Sequence, residues 1–176
     1  MFFIDLPGFL CSPCLLFADD TLLYRPICSS TDEMILQRDI DKLFEWCQWN
    51  RMKLNLTKTK VIRFTRIKRV GNPQYMLHST SLQVVNEIKY LGVFLNNKLT
   101  WGSHVKYVTS RANKMLGFIS SAAKGCSIHA RFCLYKSLVI PILEYRLPVW
   151  HLNTQGLISD IEQVKRRATK IILRQR

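Results

Sequence analysis

The apolar positions change their spacing along the chain, and each change predicts an element. Cys14-Leu15-Leu16-Phe17 is a short apolar run that breaks at Ala18-Asp19-Asp20 and resumes at Thr21-Leu22-Leu23-Tyr24. Two such runs around a polar pair predict a buried β-hairpin that presents its acids at the turn. The residues before it, Met1 to Leu10, are apolar and end at Pro7-Gly8, a turn signal. After the hairpin, Leu36, Ile40, Leu43, Phe44 and Cys47 recur at i, i+4, i+7, i+8 and i+11. That is one face of an amphipathic helix, which should pack under the hairpin. Ser30-Thr31-Asp32-Glu33 reads as its capping box, with Ser30 facing the backbone donors and Glu33 reaching back. Trp46 and Trp49, beside the apolar stripe, read as core or rim residues before base-stacking ones.

Short strands follow. Residues 61–65 have strand composition and run toward Gly71-Asn72-Pro73, a loop signal, and residues 75–77, 82–85 and 88–95 are strand-like. Near Trp101 the period changes from two to 3.6, which sets the expected domain boundary. Val105, Val108, Ala112, Met115, Leu116 and Ile119 mark one helix, ending near Gly125. Ile128, Phe132, Tyr135 and Val139 mark a second, capped by Ser127 and limited by Pro141. Ile161, Val164, Ala168, Ile171 and Ile172 mark a third, beyond Pro148-Val149-Trp150. The expected class is α+β: a hairpin with a packed helix and short antiparallel strands over residues 1–99, then a small helical bundle over 100–176.

Charge narrows the function. A formal net charge of +14 predicts attraction to a polyanion, most simply nucleic acid. Arg51, Lys53, Lys58, Lys60, Arg63, Arg66, Lys68 and Arg69 form a run without an acid, either a solvated strand edge or a phosphate track. Between Glu87 and Glu144 no acid interrupts Lys89, Lys98, Lys106, Arg111, Lys114, Lys124, Arg131 and Lys136. Unbalanced cations over two helices point to a phosphate-facing surface rather than to solubility. No apolar run approaches the length needed to span a bilayer, and Asp5 stands where a signal peptide carries basic residues, so an intracellular protein without a membrane partner is expected, in nucleus or cytoplasm. Cys11-Ser12-Pro13-Cys14 has zinc-like spacing but no second ligand pair follows, so the six cysteines read as unpaired thiols.

Adjacent carboxylates repel, so Asp19 and Asp20 need water or a hard divalent cation beside them. Their flanks decide between these. Phe17-Ala18-Asp19-Asp20 between apolar runs resembles motif C of reverse transcriptases, and Leu16-Phe17-Ala18-Asp19-Asp20-Thr21 resembles the form in non-LTR (LINE-type) retrotransposons. Ile4-Asp5-Leu6-Pro7 is similar to the segment entering motif C, and Trp49-Asn50-Arg51-Met52-Lys53-Leu54-Asn55 onward to the motif D region. Tyr90-Leu91-Gly92-Val93 with Leu99-Thr100-Trp101 and His104 is similar to motif E and the start of the thumb.

The resemblance implies a partial polymerase palm followed by a thumb-like bundle. It also implies Mg²⁺ bound by Asp19, with Asp20 as second ligand or electrostatic neighbour. Lys58 or Lys60 would face the departing pyrophosphate, and Gly92, Lys60, Arg63, Lys106, Arg111 and Lys114 would meet the nucleic acid. The implied partners are an RNA template and DNA primer or their duplex, with no small-molecule cofactor. Motif A, motif B and the fingers have no counterpart in these residues, and Asp5 sits too close to Asp19 to be the motif A acid. The chain alone is therefore expected not to polymerise, to take a deoxynucleotide only together with an N-terminal half, and to be poorly soluble where apolar palm surface lies bare. The competing expectations are a non-enzymatic basic module that binds nucleic acid and a non-functional relic.

Overall fold

The computed structural model describes residues 6–65, 74–150 and 155–173. It forms two compact units, Met1–Asn86 and Glu87–Arg176. Asp5, Arg66, Lys68, Arg69 and the Gly71-Asn72-Pro73 loop signal lie outside the described residues.

The first unit opens with α1 (Leu6–Phe9), so the Pro7-Gly8 pair expected as a turn lies inside a short helix. Proline is tolerated there because first-turn N–H groups have no helical partner. Strands β1 (Cys14–Phe17) and β2 (Asp20–Leu23) pair antiparallel, with Leu16 opposite Thr21 and Phe17 opposite Asp20. Helix α2 (Ser30–Trp49) begins one residue earlier than the predicted box. Its N-cap is Ser29, whose hydroxyl accepts from the Asp32 N–H at 3.4 Å while the Asp32 carboxylate accepts from the Ser29 N–H at 3.0 Å. Asp32 wins over Glu33 because the Arg25 guanidinium, at 3.1 Å, and the Cys28 N–H also converge on it.

Two small cores hold α2 in place. Ile40, Leu36 and Phe44 pack with Tyr75, Leu77, Leu82 and Leu23. Trp46, Cys47 and Leu43 pack with Leu6, Cys14 and Leu16, so the helix lies under the hairpin as its stripe predicts. Trp46 is core, whereas Trp49 is 71% exposed. The hairpin is covered on one face only: Leu15 and Phe17 remain more than half exposed.

Strand β3 (Lys60–Ile62) pairs with β6 (Gln83–Val85) in parallel, not antiparallel as expected. The connection between them is long enough for a crossover and itself contains the β4 (Met76–Leu77) and β5 (Thr80–Ser81) hairpin.

The second unit begins with β7 (Glu87–Tyr90) and β8 (Val93–Asn96), an antiparallel hairpin, followed by α3 (Gly102–Ala122). The division falls before this hairpin rather than at residue 99. The reason is packing: Val93 is buried with Val105, Val108 and Trp150, which ties the hairpin to the helices. Then come α4 (Ile128–Leu138), α5 (Ile140–Glu144) and α6 (Gln155–Leu173). Ala112, Leu116 and Ile119 of α3 meet Val164, Ala168 and Ile172 of α6 with Val139 and Leu143. Ser127 caps α4, accepting from the Ala130 N–H at 3.2 Å.

The predicted stripe of α4 holds in its second half, where Tyr135 and Val139 meet the core, and fails in its first. Ile128 and Phe132 are exposed, while Leu134, Tyr135 and Leu138 face the core. Arg131 shares the inner side, where its guanidinium donates to the Ile171 carbonyl at 3.1 Å near the end of α6. Among the described residues no helix is long and apolar enough to cross a membrane.

Candidate active-site hairpin and cationic surface

Ala18 and Asp19 form the two-residue connection between β1 and β2, and Ala18 takes a positive φ of 53° while Asp19 does not. That sign pattern belongs to a II′ hairpin turn, where glycine is the usual first residue. An alanine in its place leaves strain beside the acids. Asp19 and Asp20 are exposed, and neither carboxylate makes a hydrogen bond or ion pair with a described residue. In the β-pairing register Asp20 shares the outward face of the hairpin with Phe17 and Leu15.

A hidden carboxylate sets the base of this hairpin. Asp39, on α2, is fully buried and accepts from the backbone N–H groups of Cys11 at 3.0 Å and Ser12 at 2.7 Å, which fixes the loop entering β1. Burial works to raise its pKa, but hydrogen bonds from Ser12 and Cys11 and the nearby Lys42 outweigh it, so the carboxyl is held below its ordinary value. Lys42 also donates to the Phe9 carbonyl at 3.0 Å. Within Cys11-Ser12-Pro13-Cys14 it is the backbone of Cys11 and Ser12 that makes this anchor.

The two candidate lysines of the motif D region differ in their surroundings. Lys58 is exposed in an Asx-type turn where its own N–H donates to the Asn55 side chain at 3.1 Å, and its ammonium is without a described partner. Lys60 lies on β3 directly opposite Gln83 and donates to that side chain. Arg63 is half-buried just past β3, close enough to the Tyr75 hydroxyl to oppose the upward shift that burial imposes on it. No described hydrogen bond or ion pair joins Lys58, Lys60 or Arg63 to Asp19 or Asp20.

In the second unit, Gly92 has φ +86° in the β7–β8 turn, after Leu91 at +45°. A Cβ there would lie 3.0 Å from Cε1 of Tyr145, whose hydroxyl donates to the Leu91 carbonyl at 3.1 Å. The close approach at this glycine is therefore made by a tyrosine ring of the same unit. Lys106, Arg111 and Lys114 are all exposed on the half of α3 turned away from its buried stripe. Arg111 joins a cluster: Lys89 Nζ donates to the Tyr107 hydroxyl at 2.9 Å and Arg111 Nη1 does so at 3.5 Å.

Three residues outside the predicted site set matter here: Asp39, His104 and Tyr107. His104 is buried, its Nδ1 accepts from the Phe94 N–H at 3.3 Å, and its ring meets Trp150 edge-on at 4.8 Å. Burial, then the charge of Lys89, pushes its pKa down, so it is the neutral imidazole. Asp39 carried a sequence signal, an acid set within the apolar stripe of α2; Tyr107, an aromatic one turn before Arg111, carried a weaker one.

The exposed Asp19 and Asp20 carboxylates are a donor set of the kind Mg²⁺ takes. Hard carboxylate oxygens with no competing cation suit the ion, which keeps several waters and takes one or two carboxylates plus phosphate oxygens. Among the described residues no three His, Cys, Asp or Glu side chains come together as a metal cage. The pair therefore fits as part of a ligand set completed by water and phosphate.

A family model described as "Reverse transcriptase (RNA-dependent DNA polymerase)" matches residues 5–95, a stretch that contains the whole hairpin and α2. The chain is 28% identical over 162 residues to a probable RNA-directed DNA polymerase from transposon X-element of Drosophila melanogaster, covering 89% of this chain and 18% of that protein. It is equally similar, with the same coverage, to a probable RNA-directed DNA polymerase from transposon BS of the same organism. With an RNA-directed DNA polymerase from mobile element jockey of Drosophila funebris the identity is 26%, again over 89% of this chain and over 17% of that protein. The chain thus spans under a fifth of the length of these curated relatives. No solved structure matches it. With the family match covering just over half of its residues, and transposon polymerases aligned along most of the remainder, the chain belongs to the reverse transcriptase (RNA-dependent DNA polymerase) family, of the non-LTR retrotransposon type.

Proposed function

We propose that this chain contributes to RNA-templated DNA synthesis a metal-binding carboxylate turn and a cationic helical region that holds the template–primer duplex. The observation that carries this reading is the Asp19-Asp20 pair, exposed on a strained turn and left without internal partners, inside the stretch that the family model matches. Asp19 is the direct Mg²⁺ ligand, and Asp20, which begins β2, is the second ligand or an electrostatic neighbour. Mg²⁺ held there would polarise a coordinated hydroxyl and offset charge on phosphate oxygens. Lys58, with its ammonium open to solvent, is better suited than the Gln83-bound Lys60 to meet a departing pyrophosphate or give it a proton. Lys106, Arg111 and Lys114 meet phosphates of an RNA template and DNA primer without reading sequence. The protein acts inside the cell, in nucleus or cytoplasm.

Motif A, motif B and the fingers have no counterpart in these residues, so the expected behaviour of the chain by itself is binding without primer extension. Mn²⁺, a paramagnetic stand-in for Mg²⁺, is the probe: it should broaden the amide signals of β1 and β2 in the wild type and not in Asp19→Asn/Asp20→Asn. In parallel, primer extension on an RNA template should give the same background for wild type and Asp19→Asn. Broadening that persists in the double variant, with duplex binding retained, overturns the metal site and favours the non-enzymatic basic module.

A further inference from the structure

On the second unit two cations are held against one hydroxyl, and no carboxylate balances them. Lys89 and Phe94 face each other across β7 and β8, while Tyr107 and Arg111 stand one turn apart on α3. The Lys89 ammonium lies 4.5 Å from the centroid of the Tyr107 ring and the Arg111 guanidinium 5.6 Å from it, with Phe94 edge-on to that ring at 5.1 Å. Neither cation makes an ion pair with a described residue. Like charges drawn to one oxygen repel, and an anion relieves that repulsion.

The valences agree. The Tyr107 oxygen accepts from both cations, so its own proton is left to donate, and it has no acceptor among the described residues. The hydrogen bond from Lys89, ahead of the charge of Arg111, draws the phenol pKa below its ordinary value and makes that proton a stronger donor. Lys89 and Arg111 are exposed and Tyr107 is half-exposed, so a ligand can reach all three.

We infer that Lys89, Tyr107 and Arg111 form a seat for one phosphate oxyanion, filled by a single backbone phosphodiester of the bound nucleic acid. An ammonium, a guanidinium fork and a hydroxyl supply several donors to one tetrahedral, multiply accepting group, which suits phosphate better than a planar carboxylate. That the phosphate belongs to nucleic acid rests on the function proposed above; the seat itself does not.

The test is binding of a fluorescently labelled RNA/DNA duplex to the full chain by anisotropy across a salt series. Tyr107→Phe keeps the ring packed on Phe94 and removes no charge, so it should lose roughly tenfold in affinity at an unchanged salt slope. Lys89→Gln/Arg111→Gln should make the log–log slope shallower by about 0.9, the value for one phosphate. A loss of twice that size overturns a shared phosphate. Wild-type affinity in Tyr107→Phe overturns the seat and leaves the wider reading standing. If the wild type fails to bind the duplex, the wider reading falls and inorganic phosphate decides the seat. Phosphate should shift the Tyr107 ring and Arg111 guanidinium NMR signals of the wild type, with the Arg111 shift lost in Tyr107→Phe; unmoved wild-type signals overturn it.

Discussion

Replacing Asp39 tests how the carboxylate turn is held in place. Its two accepted hydrogen bonds, from Cys11 and Ser12, tie the segment before β1 to α2. Ser12 is buried, so in Asp39→Ala its N–H loses its partner with no water to replace it, whereas the N–H of exposed Cys11 can turn to solvent. A hydrogen bond to a charged acceptor contributes about 1.5–3 kcal/mol, and a buried orphan donor costs a similar amount. The relief of burying one carboxylate fewer offsets part of this. Asp39→Ala should therefore destabilise the first unit by about 3 kcal/mol, and Asp39→Asn, which keeps one acceptor oxygen, by about 1–2 kcal/mol. Hydrogen exchange reads this out: protection of the β1 and β2 amides should fall about a hundredfold in Asp39→Ala. Because hydrogen bonding and Lys42 hold the folded carboxyl below its ordinary value, its contribution is present above about pH 3.9 and is lost as pH falls through the lower folded value. Asp39→Asn should abolish that acid limb. Hairpin protection in Asp39→Ala that stays within twofold of wild type would refute the anchor.

Gly92→Ala combines an unfavourable φ with a Cβ 3.0 Å from the Tyr145 ring, and should cost about 1–3 kcal/mol, read as a lower thermal midpoint of the second unit; an unchanged midpoint would mean that the turn relaxes freely. Buried His104 has its pKa pushed down, so its neutral form supports folding above about pH 6.5, and stability should decline as pH falls from there toward the lower folded value. Denaturant midpoints that stay flat over that interval would contradict it, as would an equal decline in a His104→Gln variant. Ala18→Gly should relieve the positive φ and stabilise the hairpin by about 1 kcal/mol, with slower amide exchange at β1 as the check.

Much of the fold was legible because burial leaves a period. The stripes of α2, α3 and α6 have to be apolar where they face a core, and Leu36, Ile40, Ala112, Leu116, Val164 and Ala168 occupy core-facing positions that their spacing indicates. The hairpin was legible for a different reason: paired acids between apolar runs suit a turn and little else. Where neighbours compete closely, the chain alone misplaced details. Ser29 and Ser30 are both able caps, and the choice went to the one whose partner Asp32 also gathers Arg25 and Cys28. On α4 the stripe held at Tyr135 and Val139, while packing against α3 and α6 brought in Leu134 and Leu138 and left Ile128 and Phe132 exposed.

By itself, the order of residues determined the family, the types of the longer elements, the acids at the turn and the surplus of positive charge, since each is a local pattern or a sum. Tertiary structure alone decided that β3 runs parallel to β6, that Asp39 anchors the approach to the turn, and that Lys89 meets Arg111 over Tyr107. Those contacts join residues far apart in the chain, and their energies depend on distance and burial, which no one-dimensional pattern records.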